Sequence, residues 1–312
     1  MFEKDHSSRI DVLGFGCVAV DDLCYVASYP GVDSKAAVLH TERRFGGLIG
    51  TALVAAARLG SKCAYEGALG DDELSAFAKN EMQKEGIDLS RLEHNPNAGP
   101  VHSCIIVGND RGTRNIFFDY GRMVAPNHSA TLAEAVGGAR VLLIDHYDIE
   151  RKIAAVRFAR EQGIPVVADF EGEGETGFPE LLDCVDHLIL SLDFAQKLCG
   201  TASPAAIATA LWHDRRNAVV ITCGADGCWF VTGSNPAGPR HFPAFAVKSV
   251  DTTGCGDVFH GAYAAALSRQ LPIEECLRIA SAMAALKATR QAGPGSIPRL
   301  KEVEDFLETS PR

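Results

Sequence analysis

The sequence lacks the marks of a protein held together by disulfides or metal ions. Its ten cysteines (Cys17, Cys24, Cys63, Cys104, Cys184, Cys199, Cys223, Cys228, Cys255 and Cys276) include no CxxC pair, and no cysteine–histidine cluster has zinc spacing. Most sit in apolar runs, as reduced core thiols do, which predicts a reducing, cytoplasmic setting. Basic residues are also short: 30 Lys and Arg against 40 Asp and Glu give a formal charge of -10. A chain without a basic excess is a poor partner for nucleic acid or an anionic membrane. It can still hold a small anion, because backbone N–H groups at a helix start need no net positive charge. No apolar run approaches the ~20 residues of a membrane helix. The opening MFEKDHSSRID has no apolar h-region, so no signal peptide is expected. Internal repeats, low-complexity tracts and long linkers are missing too; EGEGET at Glu171–Thr176 reads as a short acidic loop.

What is present can build a large core. Of 312 residues, 46% are hydrophobic and 22% charged, an ordinary balance for a folded soluble chain. At ~150 residues per domain the length suggests two domains, but α/β chains often run longer as one unit. Strand-like runs cover Ile10–Val20, Cys63–Leu69, Val141–Asp145, Pro165–Asp169, His187–Ser191, Ala218–Cys223 and Cys228–Thr232. Several are continuously apolar, as strands covered on both faces must be. Helical stretches lie between many of them. Leu48–Leu59 is Ala-rich and stops at Gly60, a second helix runs from its cap Asp72 to Glu85, and a third from Pro272 through Arg290. The alternation predicts an α/β protein: a three-layer αβα sandwich around a mainly parallel sheet. Two regions break the rhythm. Asp21–Arg44 is β-prone around a Tyr29-Pro30-Gly31 turn, and Val101–Tyr120 reads as two strands around Asn109-Asp110-Arg111-Gly112. Both read as β additions projecting from the sheet.

The most informative stretch is Ser249–Leu267, SVDTTGCGDVFHGAYAAAL. A β-prone run ends at Val250, a turn of small residues follows, and an Ala-rich helix begins. Such a turn exposes N–H donors at the positive end of a helix dipole. Gly254 and Gly256 permit close backbone approach. The pocket suits charge on a phosphoryl group in flight, and Asp257 stands where a carboxylate could take a proton from a hydroxyl. The plain alternative is a helix-capping acid after two turn glycines.

This string resembles the signature of the ribokinase-like (PfkB) family of carbohydrate and nucleoside kinases, DTxGAGD followed by a small-residue helix; only Cys255 departs, standing for Ala. The resemblance implies Asp257 as catalytic base and the amides of Gly254, Cys255 and Gly256 as anion hole. A second match is Phe45–Gly60, FGGLIGTALVAAARLG. It implies that Gly46, Gly47 and Thr51 face the acceptor, although Leu48 and Thr51 stand where sugar kinases commonly carry Asn. Asp21 matches an acid that binds sugar hydroxyls, Asp33 a lid acid of ketohexokinase-like members, and Arg114 in GTRNIFF a lid-strand arginine. Asp22 is expected to point the other way along the strand.

The resemblance also implies ATP as cofactor. Thr222, Gly224, Ala225 and Gly227 fit the turn lining the nucleotide site, with Thr253 and the α-helical Ala285 and Ala288 nearby. Asp251, Thr253, Arg290, Ala292 and Ser296 fall at positions that hold a monovalent cation, potassium, in many members. For Mg²⁺ the family's NxxE reads Ser191-Leu192-Asp193-Phe194 here, so Asp169 and Glu171 are the candidate acids beside the metal, and the ion could rest mainly on ATP phosphates and water. The look is nearest to the sulfofructose-kinase-like and ketohexokinase-like branch, through ARLG, GDVFHGA and AALK-x-TR. The expectation is therefore one ribokinase-like kinase domain over residues 1–312, with β-lid strands from about 17–45 and 100–120, acting on a small sugar and forming a homodimer through the lid. The alternatives are a nucleoside kinase or a sugar-sensing protein with weak turnover. A nicotinamide site at Gly14-Phe15-Gly16 is disfavoured, since Ala19 replaces the third glycine of GxGxxG.

Overall fold

A computed structural model describes residues 9–110, 113–124, 126, 132–173, 176–233, 238–291, 293 and 295–310. The strands among them are β1 (Ile10–Phe15), β2 (Ala19–Val26), β3 (Val38–Gly46), β4 (Cys63–Leu69), β5 (Leu92–His94), β6 (Val101–Gly108) and β7 (Thr113–Asp119). Six more follow: β8 (Ala139–Ile144), β9 (Val166–Asp169), β10 (His187–Ser191), β11 (Ala218–Thr222), β12 (Cys228–Thr232) and β13 (Arg240–Phe242). The helices are α1 (Leu48–Arg58), α2 (Glu73–Lys84), α3 (Leu132–Val136), α4 (Ile149–Glu161) and α5 (Phe178–Cys184). After them come α6 (Leu192–Cys199), α7 (Pro204–Ala210), α8 (Cys255–Ser268), α9 (Ile273–Ala288) and α10 (Leu300–Thr309).

The continuous apolar runs become a nine-stranded sheet in the order β13-β12-β11-β10-β9-β8-β1-β4-β5. Pairing is parallel from β11 to β5, and β12 and β13 add antiparallel at one edge. Side chains alternate across this sheet into two cores. Val12, Val141 and Ile189 pack with α1, α2, α8, α9 and α10 on one face. Leu13, Leu142 and Leu188 pack with α3 through α7 on the other. The two projecting regions form a separate four-stranded sheet, β3-β2-β6-β7, in which only β2 and β6 are parallel. The turn at Arg111-Gly112 lies outside the described residues.

Two sequence expectations are corrected. The single run over Ile10–Val20 is two strands in two sheets. The chain leaves the main sheet at Gly16, where a Cβ would sit 2.3 Å from the Asp145 carboxylate, and enters the second sheet at Ala19. The helix expected through Arg290 ends at Ala288, because the amides of Val250 and Asp251 claim the Ala288 carbonyl at 2.7 and 3.2 Å.

Asp145 is the polar anchor of the sheet's C-terminal end. It is wholly buried and accepts the Cys17 N–H at 2.5 Å, the Tyr147 N–H at 3.1 Å and the ammonium of the equally buried Lys152. The Cys17 carbonyl then accepts the amides of Ile49 and Gly50 that open α1. One ion pair thus positions β1, α4 and α1 together. Removing one partner of a buried pair strands the other charge. Asp145→Ala should therefore cost about 3–5 kcal/mol in urea unfolding; a loss under ~1 kcal/mol would show that Lys152 finds water instead.

Candidate active site

The start of α8 is built by small residues and local bonds. Asp251 Oδ1 accepts the Thr253 N–H at 2.9 Å, and Gly254 takes φ 72° so that the chain turns into the helix. First-turn amides of a helix have no carbonyl four residues behind them to bond, which leaves Gly254 and Gly256 presenting N–H groups. The Cys255 amide differs from expectation: it donates to Thr252 O at 3.1 Å, and the thiol turns to the Ala284 carbonyl of α9 at 3.6 Å. Asp257 lies in the first turn of α8, part-exposed.

α1 brings the second motif alongside. A Cβ on Gly254 would lie 3.6 Å from Thr51 Cγ2 and 3.7 Å from Asp257 Oδ2. The helices cross closely at Gly261, where a Cβ would come within 2.0 Å of the Ala52 carbonyl oxygen. Gly47 enters α1 at φ 89°, where any side chain would strike Cys17 O and Ala19 N at 2.7–2.8 Å. Asp21 lies within β2, not at a strand end, and its Oδ2 would meet a Cβ on Gly46 at 3.1 Å. Burial raises the Asp21 carboxyl pKa, while the Ser103 hydroxyl and Arg44 oppose the shift. Asp22 faces away and is held by Arg43 at 2.7 and 3.0 Å and by His102 at 2.9 Å. Asp33 sits exposed in the β2–β3 turn. Arg114 of β7 reaches across to donate to the Thr253 hydroxyl, so the second sheet touches the α8 turn.

Beneath Asp257 lies a cluster that the sequence reading only half anticipated. Asp169 is 3% exposed, and Glu171 follows with solvent access. Desolvation, then the charges of Asp169 and Glu171, hold the Asp257 pKa well above the ordinary carboxylate value. Asp169 is raised by the same causes, with Glu171 and Asp145 as its like charges. His260 Nδ1 lies 2.8 Å from Gly256 O and Nε2 3.1 Å from Ile189 O. Burial lowers the His260 pKa, opposed by its two carbonyl partners and by the charges of Asp257 and Glu171; a neutral ring donates to only one of those carbonyls at a time. Nδ1 is also 3.2 Å from Asp169 Oδ2, a carboxylate oxygen that has no hydrogen bond. His260 went unassigned in the sequence because a histidine on an Ala-rich helix reads as core.

The remaining candidates flank this floor. Thr222 ends β11 and donates to Leu190 O at 3.3 Å; Gly224, Ala225 and Gly227 form a 3₁₀ turn into β12. Ala285 and Ala288 lie on α9, beside the Cys255 contact at Ala284. Ser191, at the NxxE position, caps α6 by accepting the Phe194 N–H at 3.3 Å. Among the described residues no three His, Cys, Asp or Glu side chains converge as a metal centre. Asp169 and Glu171 therefore suit a magnesium ion only through the negative charge of their oxygens, the orphaned Asp169 Oδ2 above all. At the candidate monovalent-cation loop, Ser296 donates through N and Oγ to Gly293 O at 2.9 and 2.7 Å, and Arg290 pairs with Glu302. Ala292 lies outside the described residues. The Asp251 carbonyl already accepts the ammonium of Lys287 at 3.0 Å, a residue that sequence reading missed.

A profile of the pfkB family of carbohydrate kinases matches residues 15–299. The chain belongs to that family. Among curated relatives of this PfkB protein, a ribokinase of Haemophilus influenzae is 27% identical over 278 residues, 85% of this chain and 87% of that one. A ketohexokinase of Mus musculus is 24% identical over 301 residues, 92% and 98% of the two chains. The fold is that of an Arabidopsis thaliana ribokinase solved with ribose and ATP: TM-score 0.85, 24% identity, 97% of this chain and all of that one. The architecture is thus ribokinase-like α/β, and the protein is a sugar kinase of the PfkB group.

The raised Asp257 pKa has a measurable sign. The folded protein keeps that proton to higher pH than the unfolded chain, so its contribution to stability is full below the ordinary value of 3.8 and is lost as pH rises through the raised one. Asp257→Asn cannot ionise. In magnesium-free buffer its melting temperature should gain on wild type between pH 5 and 8, by about 2–4 °C per kcal/mol relieved; a pH-independent difference would refute the shift.

Proposed function

We propose that this carbohydrate kinase transfers the γ-phosphate of ATP to a hydroxyl of a small sugar or sugar derivative, within one catalytic unit covered by the β2-β3-β6-β7 lid. The observation that carries the reading is the pair of contacts along the start of α1: Gly254 lies against Thr51 and Asp257, and Gly46 lies against Asp21. Asp21 and the Gly46-Gly47 turn orient the acceptor. Asp257 takes the hydroxyl proton as that oxygen bonds to the γ-phosphorus, and the bond to the β–γ bridging oxygen breaks to release ADP. The amides of Gly254 and Gly256, at the positive end of α8, hold the charge spread over the phosphoryl oxygens. Arg114 adds a cation above the same turn.

The nucleotide rests between the Thr222–Gly227 turn and the α9 residues Ala285 and Ala288, with Thr253 at its phosphates. Mg²⁺ bound to those phosphates would offset their charge, with Asp169 and Glu171 as the nearby acids. One monovalent positive charge belongs beside Asp251, potassium in the arrangement that the sequence resemblance implies. The lid excludes water from the transferring group. All ten thiols are free, as a reducing cytoplasm would leave them.

The experiment is an ATP-consumption screen over aldoses, ketoses, sugar acids, sulfosugars and nucleosides. Against the best acceptor, Asp257→Asn should lose about 10²–10⁴-fold in kcat while ADP binding by calorimetry stays near wild type; full turnover would refute the base. Asp21→Ala should raise the acceptor KM about 10- to 100-fold and leave the ATP KM unmoved. An unaltered acceptor KM would remove Asp21 from the site.

Dimerisation through the lid is part of the proposal. Its edge strands expose Val38, Leu39, Ile116, Phe117 and Phe118, each about half uncovered, and open edges seek a partner. Sedimentation at micromolar concentration should give a dimer that Phe117→Lys with Phe118→Lys dissociates. A monomeric wild type would reject the interface.

A further inference from the structure

The last turn of α9 carries one charge within an alanine-rich stretch, IASAMAALKA. Lys287 is 2% exposed, and its Nζ donates to the main-chain oxygen of Asp251 at 3.0 Å. A buried ammonium is costly and persists where oxygen atoms and opposite charge receive it. Both are present. Burial lowers the Lys287 pKa, and Cys255, Asp251 and Asp257 oppose that shift. The end of a helix also favours a cation, because its dipole is negative there.

The bonded oxygen is not an arbitrary one. Asp251 opens the turn that presents the anion-binding amides: its N–H binds Ala288 O, and its carboxylate fixes Thr253 N–H. A cation on the Asp251 carbonyl therefore steadies the segment that ends at Asp257. An alkali ion would do this by the same means, one positive charge on main-chain oxygen. Two such charges drawn to one carbonyl repel each other. The Asp251 oxygen consequently does not suit a potassium ion while Lys287 holds it.

We propose that the Lys287 ammonium is the built-in monovalent cation of this site, so that the protein works and folds without potassium. The functional consequence rests on the kinase reading above; the placement of the charge does not. A dissolved ion would leave activity dependent on which salt is present, whereas a tethered one has an effective concentration set by the fold.

The test compares KCl with NaCl at equal ionic strength. Thermal unfolding of the ligand-free full chain should give one midpoint for wild type in both salts. Lys287→Ala opens the position, and its midpoint should rise by about 2–4 °C in KCl over NaCl, saturably, as for any ligand of the native state. With an acceptor from the screen, the same variant should lose about 10- to 100-fold in turnover in NaCl and recover in KCl. A wild-type midpoint that rises with potassium overturns the proposal, as does a folded variant indifferent to the ion. Higher ADP dissociation constants in Lys287→Ala without rescue by KCl would make Lys287 a phosphate ligand and also overturn it. If the variant folds in neither salt, the wild-type comparison decides alone. If no acceptor is phosphorylated in any salt, the kinase reading fails while the melting experiment still judges the cation.

Discussion

Carboxyl groups crowded beneath the positive end of α8 are a costly arrangement, and the surrounding structure is arranged to tolerate it. Asp257, Asp169 and Glu171 repel one another, with Asp169 buried beneath the other two. The helix dipole and the first-turn amides oppose that repulsion. A group poised this way readily gains a proton, which suits the base role proposed for Asp257. Strain of this kind is held only where neighbouring elements over-determine it. Here the parallel sheet, the α1–α8 contact and the Asp145–Lys152 pair do so.

What could be read from the sequence was what local patterning controls. The strands of the central sheet announce themselves because burial on both faces demands unbroken apolar runs. The Asp72 cap and the Gly60 stop of their helices follow from chemistry within a few residues. The Asp257 string was legible for the same reason, since a turn of small residues and the helix after it are contiguous. Features made by distant contacts were not. The break at Gly16 depends on Asp145, 129 residues away along the numbering. Lys287 sits on a helix whose alanines read as plain core, and nothing near it in sequence names the Asp251 carbonyl. Ser191 shows the converse case: a position expected to matter for metal is occupied with capping a helix.

The second sheet has a different energetic character from the first. Its own buried cluster is small, Leu23, Tyr25 and Ile105 with Val107 packed against them. It meets the body through apolar as well as polar contacts: Val20 and Phe45 pack into the core that α1 shares with the main sheet, Arg114 bonds Thr253, and the Arg44 guanidinium lies beside Gly293. Val20 is fully buried there, so the root of the second sheet is tied to the main core, while its outer strand β7 is exposed along its length.

The close crossing at Gly261 and Ala52 has a consequence for selectivity. It joins α1 and α8 with no room for a side chain between them, so on the proposed kinase reading the span from the Gly46–Thr51 platform to the α8 turn is fixed. On that reading the acceptor would lie against a fixed ruler whose zero is the attacking oxygen, and differences in acceptor length would be taken up at the far end, under the second sheet, where the space can be trimmed or enlarged without touching the chemistry.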